Sequence, residues 1–126
     1  NDLGQASLFK GGHHGSYTAS SQLLLDKIKP STVCVCCCAG NKEYASNPSH
    51  SFPAQEFIDR IAPFTDKVYV TSLGSFEDSN YFASLNGNIK VSYSSSNELI
   101  ECSNNNTKLK DTVWFKQNRT IPLSWQ

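Results

Sequence analysis

Two adjacent histidines lie in a glycine-rich stretch near the start of the chain. His13 and His14 follow Gly11 and Gly12 and precede Gly15. A neutral imidazole is a common metal ligand and can also transfer a proton near neutral pH. Glycine permits backbone conformations that other residues avoid, so it allows both rings to be aimed out of a turn. The stretch predicts a metal-binding or proton-transferring site, and the alternative is a polar loop with two exposed histidines.

Cysteine is the second residue type that could carry chemistry. The five cysteines are Cys34, Cys36, Cys37, Cys38 and Cys102. Neighbouring side chains of a strand point to opposite faces, so the clustered thiols do not converge on one ion. We expect a buried strand in which cysteine acts as a small apolar residue. A catalytic Cys–His pair is then unsupported, because a reactive thiol must be exposed.

The compartment is indicated only indirectly. Unpaired cysteines favour a reducing environment, because an odd number without regular spacing makes a poor disulfide framework. The triplets Asn105-Asn106-Thr107 and Asn118-Arg119-Thr120 would be glycosylation acceptors if the chain were exported.

Composition excludes some function classes. The 126 residues carry a formal net charge of zero, which gives no general support for binding nucleic acid phosphates. No apolar run is long enough to cross a bilayer, so we predict no membrane segment in this chain. The sequence contains no methionine, and we therefore expect it to be cut from a longer product.

The histidines must be positioned by alternating strands and helices. Apolar periodicity, serine caps and proline stops predict these elements. They are a strand at 6–10, a helix from Ser20 or Ser21 to Lys29-Pro30, a strand from Thr32 to Cys38 that is apolar on both faces, a helix beginning at Ser51 or Phe52 with Pro53 in its first turn, and a strand from Lys67 to Thr71.

The second half of the chain predicts hairpins and an aromatic tail. Asn86-Gly87 favours a two-residue turn between strands at 81–85 and 88–94, and another short strand follows at Glu98 to Cys102. The apolar tail from Asp111 to Gln126 is expected to dock on the sheet or on a missing partner. The order of elements indicates an α+β fold, a mixed sheet with helices on one face.

Several segments together resemble a known family. The turn Lys10-Gly11-Gly12-His13-His14-Gly15-Ser16, the serine-started helix ending in Lys29-Pro30, the strand ending in Gly40-Asn41, and the stretch from Tyr44 through His50 to Pro53 follow one pattern. In this order they resemble the C-terminal half of the metallo-β-lactamase fold, in the variety found in the hydrolase domain of the DNA-uptake competence protein ComEC and its free-standing relatives. The likeness covers roughly residues 2 to 93. It implies half of an αββα sandwich over residues 1–102, with 103–126 as an Asn-rich loop and docked tail.

The resemblance also implies a metal-dependent hydrolase. Such proteins hold zinc or manganese through an H-x-H-x-D-H motif that this chain lacks. The resemblance implies that His14 is the last metal ligand, with His13 as the fallback. It also implies catalytic roles for Asn41, Tyr44 and His50.

Further expectations concern substrate and partner. The resemblance implies cleavage of a phosphoester, with nucleic acid as one such substrate, and Ser16 could contact the phosphate or simply cap the turn. We expect the missing half of the domain, or a second chain, to supply the other ligands, so that this chain alone is inactive. The alternative function is a non-catalytic binding or structural module that retains only the fold.

Overall fold

The fold combines a mixed sheet, a separate hairpin and three helices. The computed structural model describes residues 3–43, 45–95 and 97–126. The strands are β1 (Phe9–Lys10), β2 (Val33–Ala39), β3 (Val68–Leu73), β4 (Ala83–Ser84), β5 (Ile89–Ser94) and β6 (Asn97–Cys102), and the helices are α1 (Gln22–Ile28), α2 (Gln55–Ile61) and α3 (Val113–Asn118). None of the helices in these ranges is long and apolar enough to cross a membrane.

The sheet has the order β1-β2-β3-β4, whereas β5 and β6 pair with each other. β1, β2 and β3 run parallel, and β4 is antiparallel to β3. The prediction of a mixed α+β fold is therefore confirmed. Apolar side chains from β2 and β3 form one core with those of the helices; the largest fully buried ones are Phe57, Phe115, Leu25, Ile58, Ile61 and Leu109.

Helix α1 begins and ends where the sequence predicts. The Ser21 hydroxyl accepts a hydrogen bond from the backbone N–H of Leu24, at 3.3 Å, which satisfies an otherwise unpaired donor of the first turn. Lys29 has a left-handed conformation with φ 40° and closes the helix ahead of Pro30.

Two elements are shorter than predicted because their flanking residues bond elsewhere. The strand expected at 6–10 is reduced to Phe9–Lys10, since the Ala6 N–H donates to the Ile28 carbonyl and the Ala6 carbonyl accepts from the Ser31 N–H. The helix expected from Ser51 or Phe52 begins only at Gln55. Ala54 is extended, and its N–H donates to the carbonyl of Gly15 at 2.8 Å. That bond fixes the start of α2 to the histidine turn.

The predicted hairpin around Asn86-Gly87 is wrong. β4 pairs with β3, and β5 pairs with β6. A type I′ turn needs positive φ at both central residues, but only Gly87 has it, at 69°. The side chain of Asn86 is instead completely buried, where it donates to the carbonyls of Val70 and Thr107 and accepts from the Thr107 N–H. Asn86-Gly87 thus connects β4 of the four-stranded sheet to β5 of the separate hairpin.

The C-terminal segment contributes to the core. Phe115 and Trp125 are buried with their ring centroids 5.7 Å apart. The indole N–H of Trp125 donates to the carbonyl of Thr65 at 2.9 Å. Thr112 begins α3 by accepting the N–H of Phe115. Removal of this segment would therefore expose core side chains.

Candidate functional site

The histidine turn, Gly12–Gly15, holds two residues in an uncommon conformation. His13 has φ 44° and His14 has φ 57°, both in the left-handed region, and Gly15 follows with φ 82°. A left-handed conformation costs a residue with a side chain roughly 1–2 kcal/mol. Strain of this kind persists only where surrounding contacts enforce it, and it is concentrated at functional sites. The turn is therefore a candidate site on its backbone geometry alone.

Hydrogen bonds on both sides enforce this geometry. The Gly12 N–H donates to the Ser20 hydroxyl at 3.1 Å, and the Gly15 carbonyl accepts from Ala54. A Cβ on Gly15 would lie 2.8 Å from the Cβ of Pro53, so the turn also packs directly against the segment that precedes α2.

One imidazole is fixed in both orientation and tautomer. Nδ1 of His14 lies 2.7 Å from the backbone carbonyl oxygen of Cys36. A carbonyl oxygen can only accept, so in the neutral imidazole the proton is on Nδ1 and Nε2 carries the available lone pair. A metal-binding histidine commonly has this arrangement, with its second nitrogen held by a carbonyl or carboxylate. The sequence did not reveal this acceptor.

His14 borders a cavity of about 380 Å³. The other residues around it are Cys36, Cys37, Cys38, Asn41, Glu43, Phe52, Thr71 and Ser72. The Phe52 ring lies 5.8 Å from the His14 ring and 5.5 Å from the His13 ring, centroid to centroid. The cavity therefore offers an oriented imidazole, thiols, an amide and a carboxylate beside one aromatic wall.

Asn41 is the second predicted site residue at this cavity. Its side-chain oxygen accepts from the Glu43 N–H at 2.8 Å, and its amide nitrogen makes a long contact of 3.5 Å with the Ser79 carbonyl. This contact stabilises the turn that leads from Asn41 to Glu43. Glu43 also borders the cavity, and the sequence analysis did not single out this residue. Tyr44, the third residue predicted in this loop, lies outside the described residues.

His50 is not among the residues that border this cavity. Its ring stacks on Tyr17 with centroids 4.2 Å apart, and Nε2 lies 3.1 Å from a carboxylate oxygen of Glu56. Nδ1 lies 3.3 Å from the side-chain nitrogen of Asn47. With both ring nitrogens engaged, His50 ties the loop to α2, and its proposed role as a proton donor stays a prediction.

Ser16 is also separate from the cavity. The residue is only 3% exposed, and its hydroxyl lies 2.8 Å from the Thr18 hydroxyl while accepting the Thr18 N–H. Serine commonly stabilises a turn in this way. Contact between Ser16 and a phosphate remains a prediction.

The cysteine strand is not buried on both faces, which corrects the sequence analysis. Val33, Val35 and Ala39 are buried, but Cys36 is exposed. Cys36 lies on the face of β2 opposite Val33 and Val35, where it borders two cavities. The premise that every clustered thiol is buried was therefore wrong.

We expect Cys36 to react first with iodoacetamide in the native protein, about tenfold or more ahead of the other thiols. Burial raises the pKa of Cys34 to about 11 and also raises the pKa of Cys37, Cys38 and Cys102, so these groups hold less thiolate. Mass spectrometry over time measures the labelling. Cys36→Ser should abolish the fast phase, whereas Cys102→Ser should retain it; equal labelling of all thiols would contradict the expectation.

The described side chains could supply one ligand to a metal ion, but they do not form a complete metal site. Within residues 3–43, 45–95 and 97–126, no group of three or more His, Cys, Asp or Glu side chains is arranged to hold a metal ion. A catalytic zinc site usually has three protein ligands and an open position. His14 meets the requirements for one of them through its Cys36 contact.

Comparison with known proteins does not assign the chain to a family. No protein-family model, curated protein or solved structure matches it. The relation to the metallo-β-lactamase fold therefore rests on the sequence pattern around the histidine turn and remains a proposal.

Proposed function

We propose that this chain is part of a metal-dependent hydrolase of the metallo-β-lactamase type, to which it contributes His14 as a metal ligand. The observation that carries the proposal is the 2.7 Å contact between His14 Nδ1 and the Cys36 carbonyl, which leaves Nε2 available beside the 380 Å³ cavity. The left-handed conformations of His13 and His14 give further support, because strained backbone of this kind is concentrated at functional sites.

The role of each residue follows from its position. His14 would hold zinc or manganese through Nε2, with Cys36 fixing the ring. Such a metal, when bound, lowers the pKa of a coordinated water and neutralises charge on a phosphoester. Asn41, which also borders the cavity, would contact the substrate through its side-chain amide. The remaining ligands would come from the missing half of the domain or from a second chain.

The substrate class in this proposal is a phosphoester, with nucleic acid as one possible source. Among the described residues that border the cavity, none is a lysine or an arginine. Because charge neutralisation would then depend on the metal, we expect no phosphoester hydrolysis by this chain alone. Turnover of a model phosphodiester by the isolated chain with zinc would contradict the single-ligand account.

Zinc titration tests the ligand assignment directly. We expect Zn²⁺ to shift the Nε2 resonance of His14 before those of His13 and His50 in imidazole ¹H–¹⁵N spectra. Binding through so few ligands should be weak, with a Kd on the order of 1 mM. His14→Asn should weaken binding at least about tenfold, and asparagine is chosen because it tolerates a left-handed backbone.

The matched control is His13→Asn, in the neighbouring position of the same turn. It should leave the zinc response of His14 in place.

A second candidate function, a non-catalytic binding module, is favoured by the absence of a three-ligand group from the described residues. Unchanged zinc binding in His14→Asn would overturn the ligand assignment and favour that module.

A further inference from the structure

The carbonyl that orients His14 belongs to a row of main-chain acceptors along β2. In that row the Cys34 carbonyl accepts from the Gly11 N–H at 2.9 Å. Carbonyls that face one neighbouring strand recur at every second residue of a parallel ladder, so Cys36 supplies the next one. Strand β1 has already ended at Lys10, and the imidazole of His14 occupies the place of the next main-chain donor.

The same peptide group is held on its other side by Thr71. A peptide group is planar, with its C=O and N–H pointing in opposite directions, so the Cys36 carbonyl and the Cys37 N–H turn together. The Cys37 N–H donates to the Thr71 hydroxyl at 3.2 Å, and that hydroxyl donates to the Cys37 carbonyl at 3.0 Å. The peptide group between Cys36 and Cys37 is therefore fixed by His14 at one end and by Thr71 at the other.

An irregularity in the pairing of β2 with β3 places a hydroxyl at this point. The Val33 N–H donates to the Lys67 carbonyl at 2.9 Å. Regular spacing would bring the Cys37 N–H to the Thr71 carbonyl two such bonds later. That carbonyl instead accepts from the N–H groups of residues 85–87, at 3.0–3.3 Å, and the register of the two strands shifts here. The side chain of Thr71 thus replaces its own carbonyl as the partner of Cys37.

The Thr71 bond also affects the strength of the acceptor on His14. Hydrogen bonds in a chain polarise one another, so a Cys37 N–H that donates to Thr71 makes the Cys36 carbonyl a stronger acceptor for the Nδ1 proton. A histidine whose outer nitrogen is held in this way is a more basic metal ligand through its other nitrogen. The two effects, orientation and polarisation, act in the same direction.

We propose that Thr71 is a positioning residue for the cavity beside His14: by accepting from the Cys37 N–H, it fixes the Cys36 carbonyl and thereby keeps the His14 proton on Nδ1. Thr71 also borders this cavity itself. The inference rests on the proposed function, because the benefit of a fixed Nδ1 proton is an Nε2 lone pair that a metal can use.

The tautomer of His14 tests the proposal without any metal. Imidazole ¹H–¹⁵N spectra of the metal-free chain at about pH 8 distinguish the two neutral tautomers. Thr71→Val removes the hydroxyl and retains a branched side chain, so part of the His14 population should change from the Nδ1–H to the Nε2–H form. Thr71→Ser keeps the hydroxyl and should retain the wild-type tautomer.

Thr65→Val, just ahead of β3, is the matched control. The Thr65 hydroxyl donates to the Ser31 carbonyl at 2.7 Å and accepts from the Lys67 N–H at 2.9 Å. This variant loses a hydroxyl that bridges two main-chain groups in the same way, and it should leave the His14 tautomer unchanged. An equal change in Thr65→Val and Thr71→Val would reflect a general loss of stability and would overturn the proposal.

Zinc affinity separates this inference from the proposed function. Thr71→Val should weaken zinc binding at least about threefold, less than the roughly 10–100-fold typical of a direct outer partner, because the effect passes through one peptide group. If the tautomer responds to Thr71→Val but zinc leaves the Nε2 signal of His14 unshifted, the proposed function fails while the positioning role of Thr71 stands.

Two measurements on the unaltered chain keep the proposal falsifiable if Thr71→Val does not fold. His14 should be in the Nδ1–H form, and the Cys37 amide should be protected from hydrogen exchange. A proton on Nε2, a Cys37 amide that exchanges as fast as an unprotected one, or an unchanged tautomer in folded Thr71→Val would overturn the proposal.

Discussion

Replacement of Asn86 by alanine should lower the free energy of unfolding by about 3–5 kcal/mol, because a fully buried side chain loses three hydrogen bonds and each unsatisfied group costs about 1–3 kcal/mol. The groups that lose the Asn86 amide are the carbonyls of Val70 and Thr107 and the N–H of Thr107, at 2.8–3.0 Å from it. Urea denaturation followed by tryptophan fluorescence measures the change.

The matched control is Asn88→Ala, two residues downstream. Asn88 is exposed, and its side chain makes no hydrogen bond in the described structure. This change should stay within about 0.5 kcal/mol. If Asn86→Ala lowered the free energy of unfolding by less than about 1 kcal/mol, water would be replacing the amide. That result would contradict the role of Asn86 as a buried connection between parts of the fold.

Gly15→Ala should destabilise the protein by about 2–4 kcal/mol, through the left-handed backbone and a steric clash. Gly15 has φ 82°, and an added Cβ would lie 2.8 Å and 3.0 Å from the Cβ and Cα of Pro53. One of the clashing atoms is backbone, so a side-chain rotation cannot relieve the contact. Thermal and urea unfolding measure the loss.

Gly4→Ala is the control for Gly15→Ala. A Cβ on Gly4 meets no atom within 4 Å, and its backbone is not left-handed. Its stability should change by less than about 0.5 kcal/mol. If Gly15→Ala folded with normal stability and unchanged His14 imidazole signals, the turn would be less constrained than its contacts indicate.

The elements that the sequence predicted well are those fixed by local chemistry. The Ser21 cap and the Lys29-Pro30 stop depend on neighbouring residues alone, and α1 has both. The apolar run of β2 predicted a strand, and the parallel pairing with β3 confirms it as an interior one. The mixed α+β class follows from these segments.

The errors occurred where distant contacts override a local preference. Asn86-Gly87 has the composition of a hairpin turn, but burial of the Asn86 amide and the bonds to Val70 and Thr107 place it between separate parts of the chain. Cys36 lies on the face of β2 opposite the buried Val33 and Val35, and this face is not fully covered, although the apolar run predicted burial on both faces.

The candidate site was predictable in part. The glycines around His13 and His14 indicated a special backbone, and both histidines do have left-handed conformations. The acceptor on His14 is a main-chain carbonyl, which any residue at position 36 would provide, so no side-chain pattern could identify it. Glu43 borders the cavity through the turn after Asn41, and its position there depends on the bond from its N–H to the Asn41 side chain.

The pairing of β5 with β6 has a consequence for the order of folding. This ladder joins residues at most 13 positions apart, from Ser94–Asn97 to Ile89–Cys102, and hairpins of that kind form in about 1–10 μs. The histidine turn instead depends on the parallel pairing of Phe9 with Val33 and on the bond from Ala54 to Gly15, contacts that close much longer loops. Because long loops are closed late, we expect the hairpin to form first and the orientation of His14 to be among the last features acquired.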